Sequence, residues 1–152
     1  MIQRIQTLYL LLSAVLATVC LCLPLGRFFG AGGERVADLY NLWLRLAATG
    51  EHRFGPWALF VLLVVVATLT LLDIFLYRRR ALQMRVVTFC MILLVCYYGV
   101  LGFVLYTAHA EDMQFRPTLA AALPFVCIVL DYLAFRGVLK DELLVRAQDR
   151  LR

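Results

Sequence analysis

Four long apolar runs separated by short polar segments set the pattern of this chain. A bilayer core of about 30 Å takes roughly 20 residues of helix, and windows 5–25, 57–77, 86–108 and 117–135 have that length. Between them lie an outer loop 26–56, an inner loop 78–85, an outer loop 109–116 and a tail 136–152. The pattern predicts an all-α membrane protein, a four-transmembrane-helix bundle in one membrane domain, 1–152. Pro56 and Pro117 fall where the second and fourth helices would begin, where a missing N–H costs nothing. Pro124 lies inside the fourth window and predicts a kink. The first window carries one early Arg and no small-residue cleavage site, and Val19 and Leu21 are too large to precede a lipidated cysteine. It reads as an anchor, not a cleaved signal.

The basic residues orient the spans. Arg4, Arg78, Arg79, Arg80, Arg85, Arg136, Lys140, Arg146, Arg150 and Arg152 fall on one side, and Arg27, Arg35, Arg45, Arg53 and Arg116 on the other. The richer side belongs in the cytoplasm, so both termini are expected inside. The first outer loop is too short for an independent domain and is expected to form a small cap. Val36, Leu39, Tyr40, Trp43 and Leu44 make either a surface helix or, being aromatic and branched, a β-ribbon. Periodicity leaves both open. In the tail, Leu139, Leu143, Ala147 and Leu151 recur every four residues, with Leu144 alongside and Glu142 paired to Arg146. This predicts an amphipathic cytoplasmic helix that meets the membrane surface or a partner through Leu139, Leu143, Arg146 and Arg150.

Composition sharpens the class. Of 152 residues 64% are hydrophobic and the mean hydropathy is +0.87, more than a soluble surface tolerates. The net charge of +5 is explained by the inner loops, so no nucleic-acid partner is expected; membrane lipids are. The five cysteines all lie in apolar runs with no CxxC pair, which suits packing better than disulfides.

Asp73 and Asp131 are the only acids within the spans, and an intramembrane acid is a functional candidate by default. Each is placed near the inner boundary, within reach of Arg78, Arg136 or Arg85. They form an ion-pair or a transport site. Each also follows a Leu and precedes an aromatic residue and an Arg at matched spacing, as in a duplicated helical hairpin. His52 and His109, near Glu51, Glu111 and Asp112, lack metal-motif spacing. Ser13-x-x-x-Ala17 and Gly99-x-x-Gly102 offer small surfaces for helix approach. Tyr77, Tyr97, Tyr98 and Tyr106 read as interface anchors or core. Ser13, the single serine, has no histidine nearby in sequence, and no P-loop, nucleophile elbow, dinucleotide turn or HExxH occurs. No cofactor and no enzymatic activity are expected.

The start MIQRIQTLYLLLSAVL, the end RGVLKDELLVRAQDRLR, the LYRRRALQMR segment and Leu123-Pro124 resemble a Bacteroidota family of uncharacterised four-span integral membrane proteins, a domain of unknown function. The resemblance covers nearly the whole chain and implies the bacterial inner membrane. It supplies no activity or ligand, and implies that Asn is frequent at the position of Asp131, which weighs against a proton site. Three functions follow. The first is a non-enzymatic accessory or scaffold subunit of a larger membrane complex, or a self-associating protein. The second is a small homodimeric transporter or channel using Asp73 and Asp131. The third is a lipid- or quinone-linked membrane enzyme.

Overall fold

The computed structural model describes residues 2–76, 79–109 and 113–149, with the side chains of 2–4, 80 and 146–149 outside that description. Four helices carry the chain: α1 (Ile2–Cys22), α2 (Trp57–Phe75), α3 (Arg80–His109) and α4 (Leu123–Asp149). Each contains a stretch long and apolar enough to cross a membrane. Contacts run α1 to α2, α2 to α3, α3 to α4 and α4 back to α1, so the helices form a ring with α2 and α4 on one diagonal. Small residues at the α1 and α4 contact, Ala14, Ala17 and Ala134, are 0–2% exposed and let those helices approach closely. Hydroxyls that would meet lipid bond within their own helices, as Thr68 Oγ1 to the Val64 carbonyl (2.8 Å) and Thr88 Oγ1 to the Met84 carbonyl (2.8 Å).

The expectation of an all-α protein needs correction. The outer loops build a five-stranded antiparallel sheet from β1 (Gly26–Phe29), β2 (Arg35–Leu39), β3 (Leu44–Leu46), β4 (His52–Arg53) and β5 (Gln114–Pro117), in the order β4-β3-β2-β1-β5. The β alternative for the first loop therefore prevails, and the second outer loop joins it through β5. The reason is a period-two pattern. In register across the sheet, Arg116, Arg27, Asp38, Arg45 and His52 form one row, and Phe115, Phe28, Ala37 and Leu46 form another. Alternate residues face opposite sides, so the charged row faces away from the bundle, and Phe28, Ala37 and Leu39, 0–2% exposed, face the helices. Arg35 donates from Nε to Asp38 Oδ1 (2.9 Å) and pairs with Oδ2 through its terminal nitrogen. Gly26 is needed because the Phe115 ring lies against it and a Cβ there would come within 2.7 Å of the Arg116 carbonyl oxygen. Gly33, at φ 79°, closes the β1–β2 hairpin.

The structure departs from the expected elements in four places. Pro117 ends β5 instead of opening a helix, and a 3₁₀ turn (Leu119–Ala122) leads into α4. Pro124 sits in the first turn of α4, where its missing N–H has no partner to lose, so the expected mid-helix kink has no cause there. The predicted inner loop 78–85 is mostly helix, since Ala81-Leu82-Gln83-Met84-Arg85 are strong helix formers and extend α3 to Arg80. The tail is not a separate helix. It continues α4, with Val138 at 1% and Asp141 at 8% exposure facing inward, while Leu139, Leu143 and Leu144 are 38–58% exposed. The inward face is thus the one carrying Ala134, Val138 and Asp141, offset from the leucine stripe seen in the sequence.

Candidate functional site in the bundle core

Asp73 sits in the last turn of α2 and Asp131 well inside α4, yet both are enclosed, at 0% and 1% exposure. Helical periodicity aims them inward. Asp73 follows Leu59, Leu63, Val66 and Thr70 on the buried stripe of α2, and Asp131 follows Cys127 on that of α4. They project from diagonally opposed helices and lie within electrostatic reach of each other. The Gln83 amide from α3 lies against Asp73, and the Ser13 hydroxyl from α1 against Asp131, but neither is aligned for a hydrogen bond. All four carboxyl oxygens and Ser13 Oγ are buried without a hydrogen-bond partner among the described residues. Thr70 Oγ1, which donates to the Val66 carbonyl (2.8 Å), also lies 3.9 Å from Cys90 Sγ, and the Cys127 thiol donates to the Ser13 carbonyl (3.5 Å). One helix each thus supplies a hydroxyl, two carboxyls and an amide to a sealed site. Such hard oxygen donors suit a proton or an alkali cation better than a soft metal.

Of the arginines expected near the acids, two are described. Arg136 is exposed, with its guanidinium 6.0 Å from the Tyr132 ring centroid, and Arg85 is exposed too. A salt bridge joins Arg35 to Asp38 on the sheet. Arg78 and Arg150 lie outside the described residues, as does the side chain of Arg146. The two Leu-Asp segments both bury their acids, but Leu72 is 57% exposed and Leu130 9%, and only α4 runs on well past its acid, so the likeness is confined to carboxyl burial.

A second buried network, unforeseen in the sequence, ties the sheet to the bundle. Asn41 lies in the turn between β2 and β3 at 0% exposure. Its Nδ2 donates to the Cys20 carbonyl (2.8 Å), and its Oδ1 accepts from the Tyr97 hydroxyl (2.7 Å). Cys20 is in the last turn of α1, where carbonyls lack helical partners. Tyr98, edge-on to Tyr97 at 5.7 Å, donates to the Ala121 carbonyl (2.8 Å) in the 3₁₀ turn. An asparagine among apolar residues at a turn was the available signal. Tyr106 is 76% exposed, and Tyr77 lies outside the described residues.

The histidines are kept apart. His52 stacks edge-on against Trp43 (5.3 Å) on β4, while His109 ends α3, which leads into β5 at the opposite edge of the sheet. Glu111 and Asp112 lie outside the described residues, and among those described no three metal-ligating side chains cluster. Ser13 and Ala17 are buried at 0% and 1%, whereas Gly99 and Gly102 are exposed, with nothing within 4 Å of where a Cβ would be. Cys20, Cys90 and Cys127 are buried, and Cys22 and Cys96 exposed. The family described as a domain of unknown function (DUF4293) matches residues 2–151. No curated protein matches the chain.

Proposed function

The chain belongs to this family, whose description assigns no activity, and we propose that it is a non-enzymatic, self-associating accessory protein of the bacterial inner membrane. In this reading both termini are cytoplasmic and the sheet lies outside, as the ten-to-five split of basic residues supports. One observation carries the reading: the small-residue stripe of α3 faces outward. Cys96, Gly99 and Gly102 lie on an exposed face flanked by Val95, Phe103 and Tyr106, 62–76% exposed. A helical glycine costs about 1 kcal/mol relative to alanine, and here neither glycine is matched by a close neighbour in the same chain. A second α3 fits such a groove, because lipid-embedded helices associate through small residues. The convergent acids are sealed in the core, away from any lipid or quinone substrate, which argues against the membrane-enzyme reading.

In a Cys22→Ala background, copper-catalysed air oxidation is expected to join copies through Cys96, since a disulfide needs Cα atoms within about 7 Å. Gly99→Leu with Gly102→Leu is expected to weaken association at least about 10-fold in mild detergent, read by native mass spectrometry. A lone monomer without crosslinking sinks the reading; so does crosslinking indifferent to the leucines.

A second reading, a small proton- or cation-coupled transporter working as a homodimer, is favoured by the unpartnered carboxyls. It predicts flux in proteoliposomes that Asp73→Asn or Asp131→Asn abolishes while expression persists. Absence of wild-type flux removes it. Against it, Leu63, Val66, Leu94 and Tyr97, each at most 1% exposed, fill the interior of the single bundle.

A further inference from the structure

Beneath the sheet, on the side facing the helices, runs a groove of about 430 Å³, within the range of small-molecule sites. Its roof is Ala37, Leu44 and Leu46, and its wall is Phe103 and Val104 of α3. Arg53, on the edge strand β4, is the one charged residue lining it, and its side chain makes no ion pair or hydrogen bond among the described residues. Gly55 and Pro56 bring the start of α2 to the same end of the groove. No side-chain hydrogen bond caps that helix, so its first amides add positive potential beside the guanidinium. Phe54, Trp57 and Tyr106, 61–76% exposed, surround this level, and such aromatic residues collect at the headgroup depth of a bilayer.

We propose that this groove is a binding site for one anionic phospholipid. The acyl chain lies under the sheet against α3, and the phosphate sits on Arg53 and the amino end of α2. The pairing follows from charge and depth. The slot is apolar along its length and cationic at one end, and that end lies where headgroup phosphates lie. An arginine fork binds phosphate in a bidentate manner, and the added positive potential of the α2 start disfavours the choline ammonium that a zwitterionic headgroup carries beside its phosphate. The charged outer row of the sheet, Arg27, Arg45 and Arg116, belongs to the opposite face and is not part of the site.

The full chain, purified in mild detergent and titrated with phosphatidylglycerol or phosphatidylcholine, tests this by native mass spectrometry. One phosphatidylglycerol is expected to stay bound, with a preference over phosphatidylcholine of about 10-fold. Arg53→Gln is expected to erase that preference, Arg53→Lys to keep part of it, and Arg45→Gln to leave it unchanged. Thr107→Trp, at the exposed lip of the groove, is expected to lower binding of both lipids by occluding the chain. Should Arg53→Gln fail to fold, judged by circular dichroism, the Thr107→Trp and Arg45→Gln arms carry the test. Equal retention of both lipids by the wild type, equal losses at Arg45 and Arg53, or competition by inorganic phosphate alone as effective as the lipid overturns the proposal.

Discussion

Asn41→Ala is expected to destabilise the protein by about 2–4 kcal/mol, the cost of leaving two buried polar partners unsatisfied. The Tyr97 hydroxyl loses its acceptor and the Cys20 carbonyl its donor, both in residues 0% exposed. The damage extends beyond one turn, because Asn41 joins three elements: the β2–β3 turn, the end of α1 and the middle of α3. Tyr97→Phe removes one of the two bonds and is expected to cost about half as much, roughly 1–2 kcal/mol. The double variant Asn41→Ala/Tyr97→Phe should cost less than the sum, since the singles share a bond. Denaturation in mixed micelles with increasing SDS fraction measures all three. A loss below about 0.5 kcal/mol for Asn41→Ala, the range of ordinary surface substitutions, refutes the role given to this side chain.

The helices were legible because their signal is long: some twenty apolar residues in a row leave little choice in a bilayer. The cap was not, because Val36, Leu39, Trp43 and Leu44 satisfy a helical stripe and a β-ribbon alike. What decides is β5. Phe115 covers Gly26 and stacks on Phe28 at 5.2 Å, a contact between segments almost ninety residues apart that no local pattern contains. The tail shows the same limit. Leucines at 139 and 143 define a regular stripe, yet α1 selects the neighbouring face, through Gln6 donating to Asp141 (3.2 Å) and Gly137 giving room for the Gln6 side chain. The acids were found by type, but their burial was not. Arginines close in sequence implied ion pairs, whereas Arg85 and Arg136 are exposed and the acids turn to the core.

Asp73→Asn combined with Asp131→Asn is expected to stabilise the folded bundle by about 2–4 kcal/mol. As they stand, four carboxyl oxygens are buried without partners among the described residues, and a buried polar group without a hydrogen bond costs about 1–3 kcal/mol. An amide has nearly the same volume, carries no charge to desolvate, and both donates and accepts. At 131 it can donate to Ser13 Oγ, and at 73 it can pair with the Gln83 amide, the neighbours already in place. Each single variant should therefore give part of the gain, with a coupling between them because the two acids sense each other across the α2–α4 diagonal. The same micelle titration reads the effect. A stabilised double variant means that the carboxyls are held at the expense of stability, as functional groups commonly are. A loss of more than about 1 kcal/mol from either single variant, a typical cost for breaking a favourable buried hydrogen bond, means instead that the carboxyls themselves hold the four helices together.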